Sequence, residues 1–182
     1  ILGRLVGSEM CIRDRLLIAD EPTTALDVTI QAQILNLMKD LRDREGTAIM
    51  MITHDLGVIA ETCDAVTVMY AGSVVETGSL KQVLGSPRMP YTIGLLHSIP
   101  RIKEAGEERV DLPIIPGQVP DPNEEFDGCR FHPRCPFADD LCRAKPPQMQ
   151  EVAPGHYAAC HHTEVTDNCL LYTSPSPRDV LR

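Results

Sequence analysis

Tryptophan is absent from this chain of 182 residues, and aromatic residues make up only 4% of it. Basic residues are in the minority, because 26 Asp and Glu residues against 17 Lys and Arg residues give a formal net charge of −9 at pH 7. A protein whose main role is to bind nucleic acid normally carries a surplus of basic residues in a patch. The composition therefore argues against a nucleic-acid partner.

Long apolar runs are also missing. No run approaches the length of a membrane-spanning helix, which needs about 18 or more consecutive apolar residues. No secretory signal is visible in the sequence. The sequence therefore predicts that any membrane role of this protein is peripheral.

The most informative stretch that is present joins an apolar run to two acids. Leu16 to Ala19 lead directly into Asp20 and Glu21, and Pro22 follows. An unalternated apolar run predicts a strand buried on both faces of a parallel sheet, and proline ends such a strand. The two carboxylates would lie at its carboxyl end, where one can hold Mg²⁺ and the other can activate a water molecule. The alternative is a solvated acidic turn.

A helix and a second strand are predicted after this stretch. One face of the helix carries the apolar stripe Ile30, Ile34, Leu37, Met38 and Leu41, which predicts packing against the sheet. Asp27 or Thr29 can cap its start, and Gly46 can follow its end. Ala48–Ile52 is the second predicted strand, and it places His54 just beyond its tip.

The next elements are a short helix and a β-hairpin. Residues 56–62 are predicted to be helical, and residues 65–70 and 73–78 are predicted to pair through Ala71 and Gly72. Ser79 and Gln82 fit a capping box that opens another short helix.

The order of these motifs resembles the ATP-binding subunits of ABC transporters. The motifs are Asp20-Glu21-Pro22, then Ala25-Leu26-Asp27, then Thr53-His54-Asp55. The resemblance implies ATP and Mg²⁺ as cofactors. It implies that Asp20 holds Mg²⁺, that Glu21 is the general base and that His54 contacts the γ-phosphate. Asp27 would communicate across a dimer of ATPase subunits.

A later segment narrows the resemblance to oligopeptide, dipeptide and nickel importers. Pro90-Tyr91-Thr92 matches the opening of their C-terminal extension, although Met89 stands where the family has histidine. The resemblance covers nearly all of residues 16–163. It implies a second ATPase subunit, two membrane permeases and, indirectly, an extracytoplasmic substrate-binding protein as partners. The location would be the cytoplasmic face of the inner membrane, and the transported substrate stays open.

Four cysteines follow in a segment rich in proline, namely Cys129, Cys135, Cys142 and Cys160. Four thiolates can bind zinc or an iron–sulfur cluster, and their spacing does not decide between the two. The segment closely resembles the terminal module of dipeptide-importer ATPases, which implies a [4Fe-4S] cluster on all four cysteines, with Zn²⁺ as the alternative. The nearby histidines could substitute in a zinc site, but we expect them on the surface: His132, His156, His161 and His162.

Both ends of the chain are interpreted as translated sequencing adapter. DNA that can encode residues 6–14 has a reverse complement that can encode residues 169–177. We therefore exclude residues 1–15 and 169–182 from the fold prediction.

The predicted fold class is α/β, comprising the C-terminal part of a P-loop ABC ATPase domain and a small irregular cysteine-rich metal module. The predicted divisions are 16–85 for the partial ATPase domain, 86–128 for an extension and linker, and 129–163 for the four-cysteine module. The sequence contains no Gly-x-x-x-x-Gly-Lys-Ser/Thr loop, Q-loop or signature motif. The chain alone is therefore predicted to be inactive towards ATP. Two alternatives stay open: a soluble ABC-type ATPase outside any transporter, and a metal-binding interaction module.

Overall fold

The computed structural model describes residues 15–99, 114–121 and 126–164. The chain divides into two compact units, residues 1–62 and 63–182. Apart from Arg15, both predicted adapter segments lie outside the described residues, as does the acidic part of the predicted linker around Glu104 and Glu107.

The first unit is a strand–helix–strand arrangement followed by a second helix. Its elements are β1 (Leu16–Asp20), α1 (Val28–Glu45), β2 (Ala48–Ile52) and α2 (Leu56–Thr62). The strands β1 and β2 pair in parallel, with Leu16 opposite Ala48 and Asp20 opposite Ile52. A parallel pair needs a crossover connection, and α1 supplies it. Both predicted strands and the predicted helices are confirmed.

The ends of α1 follow the predicted capping residues. Asp27 accepts a hydrogen bond from the Ile30 N–H at 2.9 Å, so it is the N-cap rather than Thr29. Gly46 ends the helix with φ of 66°, a left-handed conformation that glycine adopts without a Cβ penalty.

The predicted apolar stripe of α1 is wrong in part. Met38 is buried, but Leu37 is 64% exposed, and the most buried residue is Leu35, which the stripe omitted. Ile30 and Leu41 are also exposed. The helix buries only a narrow strip because a two-stranded sheet offers little surface to cover.

The prediction that both strands are buried on both faces is also wrong. Exposure alternates along β1 and β2, and the register aligns the exposed residues on one face. This open face carries Leu16, Ile18, Met50 and Ile52, each about half exposed. On the other face Met51 is partly buried, and its sulfur lies 4.0 Å from the Thr62 hydroxyl of α2. Among the described residues, the helices of this unit therefore cover one face only.

The second unit is built on an antiparallel sheet with the strand order β3-β4-β6-β5. The strands are β3 (Ala65–Tyr70), β4 (Ser73–Ser79), β5 (Gln150–Ala153) and β6 (His156–Ala158). The helices are α3 (Leu80–Gly85), α4 (Pro90–His97) and α5 (Asp140–Ala144), with a 3₁₀ turn at His132–Arg134. The predicted hairpin of β3 and β4 is confirmed, as is the capping box of Ser79 and Gln82 at α3.

The cysteine-rich segment shares a sheet and a core with this hairpin, which the sequence did not predict. In the sheet, Glu76 of β4 pairs with Ala158 of β6. The shared core contains Tyr70, Val75, Met89, Phe131 and Cys160. The pairing crosses the domain divisions placed at residues 85 and 128, and those divisions stay predictions.

The described part of the predicted linker, residues 114–121, contains no helix or strand. Ile115 packs on the shared core, while Ile114 is 78% exposed. Arg134 holds this segment by donating hydrogen bonds to the carbonyl oxygens of Ile115 and Pro116 at 3.1 and 2.8 Å. These contacts pack the segment on the shared core of the second unit.

The described residues form an α/β structure with one parallel and one antiparallel sheet, which confirms the predicted class at that level. Within the described ranges, no helix has the length and apolar character needed to cross a membrane.

Candidate active site and cysteine cluster

Glu21 sits in a strained turn directly after β1. Its φ is 44°, a left-handed value that is uncommon for a residue with a Cβ. Its backbone N–H donates to the Ile52 carbonyl at 2.8 Å, and its own carbonyl accepts from the Thr24 N–H at 3.2 Å. Such backbone conformations cost about 1–3 kcal/mol and cluster at functional sites. The turn therefore fixes the Glu21 side chain at the carboxyl ends of the parallel strands.

Two side chains contact the Glu21 carboxylate. The Thr24 hydroxyl donates to Oε2 at 2.5 Å, and His54 Nδ1 lies 2.9 Å from Oε1. Glu21 and His54 thus meet although 33 positions separate them in the chain. Because β1 and β2 are parallel, the residues that follow them emerge at the same end of the sheet.

These contacts shift the pKa values of Glu21 and His54 in opposite directions. The hydrogen bond from Thr24, and then that from His54, lowers the pKa of Glu21. The hydrogen bond to Glu21, followed by the charge of that carboxylate, raises the pKa of His54. The pair therefore favours an ionised acid beside a protonated imidazole. Both side chains are accessible to a ligand, since His54 is 77% and Glu21 43% exposed.

The other two predicted residues of this site lie nearby in the chain but have different surroundings. Asp20 ends β1 and is exposed at the same end of the sheet as Glu21. Asp27 is engaged as the N-cap of α1. The structure thus brings Glu21 and His54 into contact, while Asp27 has a structural hydrogen bond of its own. Thr24 was missed, although a hydroxyl three residues after the acid was a readable signal.

The charge coupling between Glu21 and His54 can be measured directly. In the full chain, Glu21→Gln should lower the pKa of His54 towards the ordinary value of about 6.5, because the substitution removes the carboxylate that stabilises the imidazolium. The measurement is an NMR titration of the His54 ring protons. Asp55→Asn is the matched control and should lower this pKa by less, since Asp55 contributes least to it. A pKa of His54 that is unchanged by Glu21→Gln would contradict the contact.

The four predicted ligand cysteines all carry free thiols and lie in the second unit. Cys142 and Cys160 are buried, and Cys129 and Cys135 are partly buried against the shared core. The Cys129 N–H donates to the Cys142 carbonyl at 2.8 Å, which ties the start of the segment to α5. A turn in which the His132 N–H donates to the Cys129 carbonyl leads to Cys135.

Burial raises the pKa of all four thiols, to about 12 for Cys135 and about 11 for Cys160. Mutual repulsion adds to this effect, because negative charge on Cys129 or Cys142 raises the pKa of Cys160 further. The thiols are therefore close enough to feel one another's charge. A cation between them would reverse the preference and favour thiolates.

Asp139 and His162 form a smaller group with Cys142. In the described residues, their ligand atoms all lie within 4.8 Å of one another. Asp139 Oδ1 accepts from the Cys142 N–H at 2.9 Å, and this backbone hydrogen bond is the main reason that the pKa of Asp139 falls to about 2. Sequence reasoning did not find Asp139, although an acid three residues before Cys142 is a typical N-cap pattern.

His156 contradicts the expectation that the histidines lie on the surface. It is 1% exposed, and its Nε2 lies 2.8 Å from Oε1 of Glu76, which is fully buried. The same carboxylate accepts hydrogen bonds from the backbone N–H groups of Arg88 and Met89 at 2.6 and 3.2 Å. Glu76 thus joins β4, β6 and the segment before α4. Burial of a polar pair is tolerated here because each partner is hydrogen-bonded.

Gly128 marks the tightest backbone approach beside the cysteines. A Cβ at this position would clash with the carbonyl oxygens of Cys142 and Arg143. Gly128→Ala should therefore lower the free energy of unfolding of the second unit by about 1–3 kcal/mol, the usual cost of overpacking. Gly85→Ala is the control, because a Cβ there meets open space. The measurement is urea unfolding of the full chain, monitored by hydrogen exchange of residues 126–144. Equal stability of the two variants would contradict this packing.

Comparison with known proteins places these features in one family. Residues 75–142 match the family described as oligopeptide/dipeptide transporter, C-terminal region. The chain is 54% identical over 156 residues to a probable peptide ABC transporter ATP-binding protein of Sinorhizobium fredii, covering 86% of this chain and 46% of the relative. It is 45% identical over 159 residues to the dipeptide transport ATP-binding protein DppD of Escherichia coli, covering 87% of this chain and 47% of DppD. The oligopeptide transport ATP-binding protein OppD of Salmonella typhimurium is 47% identical to it over 156 residues, which is 86% of this chain and 45% of OppD.

These matches, which cover 86–87% of the chain and include the parallel strand pair, place the chain in the class of ABC transporter ATP-binding subunits. Within that class, the chain belongs to the oligopeptide/dipeptide transporter family, which confirms the resemblance drawn from its motifs. The chain spans about half the length of the curated relatives it matches.

Proposed function

We propose that the protein to which this chain belongs hydrolyses ATP, and that Glu21 is the general base. The contact of 2.9 Å between Glu21 and His54 carries this proposal, because it joins a carboxylate and an imidazole at the ligand-binding end of a parallel sheet. Positioning of the attacking water and stabilisation of charge on the γ-phosphate are the main tasks of phosphoryl transfer. An ionised carboxylate and a protonated imidazole are suited to those tasks.

Each predicted residue has a separate role in this proposal. Asp20 would hold Mg²⁺, since its carboxylate is exposed beside the turn that carries Glu21. Glu21 would accept a proton from the attacking water, and His54 would bind the γ-phosphate. Thr24 would orient the Glu21 carboxylate through its hydroxyl. Asp27 would act across the dimer from the start of α1, where its hydrogen bond fixes it.

A chimera tests this proposal. In it, residues 16–163 replace the matching part of DppD, so that the rest of DppD supplies what the relatives have beyond this chain. We expect the chimera to release phosphate from MgATP and the 182-residue chain alone to release none above background. An inactive chimera that is folded and binds ATP would refute the proposal for Glu21 and His54.

The transported substrate class is proposed from the relatives. Proteins named for dipeptide and oligopeptide transport match the chain at 45–47% identity, which supports peptide import as the role of the whole protein. The partners would be a second ATPase subunit, two membrane permeases and, through them, a substrate-binding protein. The protein would lie peripherally on the cytoplasmic face of the inner membrane.

A metal role for the four cysteines is also proposed. Their shared burial, free thiols and mutual charge repulsion support a cationic centre between them. Four thiols of this kind can bind either zinc or an iron–sulfur cluster. The resemblance of this segment to the terminal module of dipeptide-importer ATPases favours the cluster, with Cys129, Cys135, Cys142 and Cys160 as its ligands.

Metal analysis of the full chain after anaerobic purification tests this second proposal. We expect about four iron and four sulfide per chain, with loss of both in Cys129→Ser. One zinc without iron would replace the cluster with a zinc site, and a chain without metal would refute the assignment of the four cysteines.

A further inference from the structure

The last of the four cysteines is held by a different part of the chain from the other three. The first three lie within residues 129–142, where their own turn contacts join them. Cys160 instead follows β6 after a single residue, Ala159. The Ala159 N–H donates to the Val75 carbonyl of β4 at 2.8 Å. The hairpin strand β4 therefore sets the position of the backbone that carries Cys160.

Glu76 fastens β6 to β4 from inside the core. Its side chain is fully buried, and its Oε1 lies 2.8 Å from Nε2 of His156 on β6. The same carboxylate accepts hydrogen bonds from the N–H groups of Arg88 and Met89, so it also holds the segment before α4. A buried carboxylate depends on such hydrogen bonds, because water does not reach it. A shorter side chain at this position would therefore lose its contact with β6.

We propose that Glu76 is a positioning residue for Cys160, and that it places the fourth cysteine beside the other three. Only three residues separate His156 from Cys160, which leaves little slack between the Glu76 contact and the thiol. Cys160 packs in the shared core and is 9% exposed. Burial is the main cause of the raised pKa of Cys160, and the negative charge of Glu76 adds to it, so the two side chains are close together.

A complete set of four thiols then requires the hairpin of β3 and β4. The consequence for metal binding rests on the metal role proposed above, because a centre on four cysteines loses a ligand when Cys160 moves. Metal on the four thiols should in turn stabilise β6 on β4, since such coupling is reciprocal. The placement of Cys160 itself stands without a metal.

Alkylation of the metal-free full chain by iodoacetamide, read out for each cysteine by mass spectrometry, tests the positioning. Glu76→Asp keeps the charge but shortens the side chain. It should speed alkylation of Cys160 by at least about tenfold, because the lost hydrogen bonds oppose local opening of β6. Glu76→Gln keeps the reach of the side chain and an acceptor oxygen for His156, so its rate should stay within about threefold of wild type. Cys63 lies outside the set and should react equally in all variants.

Glu151→Asp is the matched control, because Glu151 lies in the same sheet with an exposed side chain. It should leave the alkylation rate of Cys160 unchanged. The proposal is refuted if Glu76→Asp alkylates Cys160 like wild type, or if Glu76→Gln speeds the reaction as much as Glu76→Asp does. It is also refuted if Glu76→Asp speeds alkylation of Cys129 by the same factor, since that would indicate general loosening of the unit. Far-ultraviolet circular dichroism of each variant shows that it is folded.

Loss of iron to a chelator, measured on the anaerobically purified full chain, tests the consequence for metal. Glu76→Asp should lose iron at least about tenfold faster than wild type, the usual scale for loss of a residue that orients a ligand, and Glu76→Gln within about threefold. Equal loss from wild type and Glu76→Asp, although Cys160 is exposed in the latter, would refute Cys160 as a ligand. A chain without iron would refute the proposed cluster, and the alkylation rates alone would then decide the role of Glu76.

Discussion

Glu21→Gln in the DppD chimera is expected to lower the rate of ATP hydrolysis by about 100-fold or more. Loss of a general base typically costs about 10²–10⁴ in rate, because proton transfer from the attacking water then has no acceptor. Glutamine keeps the size of the side chain and can still meet Thr24 and His54. The steady-state rate of phosphate release at saturating MgATP makes the measurement.

A control substitution in the same unit tests whether the loss of rate is specific to Glu21. Glu61 on α2 is exposed and forms a surface ion pair with Lys39 at 2.7 Å. Glu61→Gln should change the rate by less than about twofold, since exposed ion pairs contribute little. Equal losses in Glu21→Gln and Glu61→Gln would mean that Glu21 has no role in proton transfer.

Glu76→Ala is expected to lower the free energy of unfolding of the second unit by about 3–5 kcal/mol, the usual cost of removing one partner of a buried polar pair. Three groups lose their acceptor at once, namely His156 and the backbone N–H groups of Arg88 and Met89. Because β6 meets β4 through only two residue pairs, the loss should also release β6 from the sheet.

Hydrogen exchange of the full chain during urea unfolding measures this effect by region. Amides of β5 and β6 should lose protection in Glu76→Ala, while those of β1 and β2 should keep theirs. Glu151→Ala is the matched control, because Glu151 is exposed on β5 and accepts one hydrogen bond, from the Gly155 N–H. It should cost less than about 1 kcal/mol. Unchanged protection of β6 in Glu76→Ala would show that the buried pair does not hold the sheet together.

Local signals in the sequence predicted the elements that local physics determines. Asp27, Gly46 and the Ser79–Gln82 capping box each act within one turn of chain, and all three lie where the sequence placed them. The family motifs implied that Glu21 and His54 serve one site, and their contact, which the sequence did not predict, follows from the shared end of two parallel strands. The hydrogen bond from the Thr24 hydroxyl was missed, although this hydroxyl follows the acid by only three residues.

Features that depend on distant partners could not be predicted in this way. Glu76 and His156 are 80 positions apart, and neither lies in a periodic pattern that marks burial of an acid. The pairing of β6 with β4 involves a strand of three residues, which is too short to show alternation.

Exposure of the first sheet was mispredicted for a related reason. An apolar run predicts burial on both faces only when elements are present to cover both. The curated relatives are about twice as long as the part that matches this chain, so we expect the covering elements to be found in the unmatched part of the whole protein.

Dipeptide uptake tests the central claim most directly. Escherichia coli cells in which the DppD chimera replaces DppD should accumulate a radiolabelled dipeptide, and cells with the Glu21→Gln chimera should accumulate about as little as cells without DppD. That pair of results would tie peptide import to the Glu21 carboxylate of this chain. Uptake that is restored equally by the Glu21→Gln chimera, or that is absent although the wild-type chimera hydrolyses ATP at the membrane, would contradict the account.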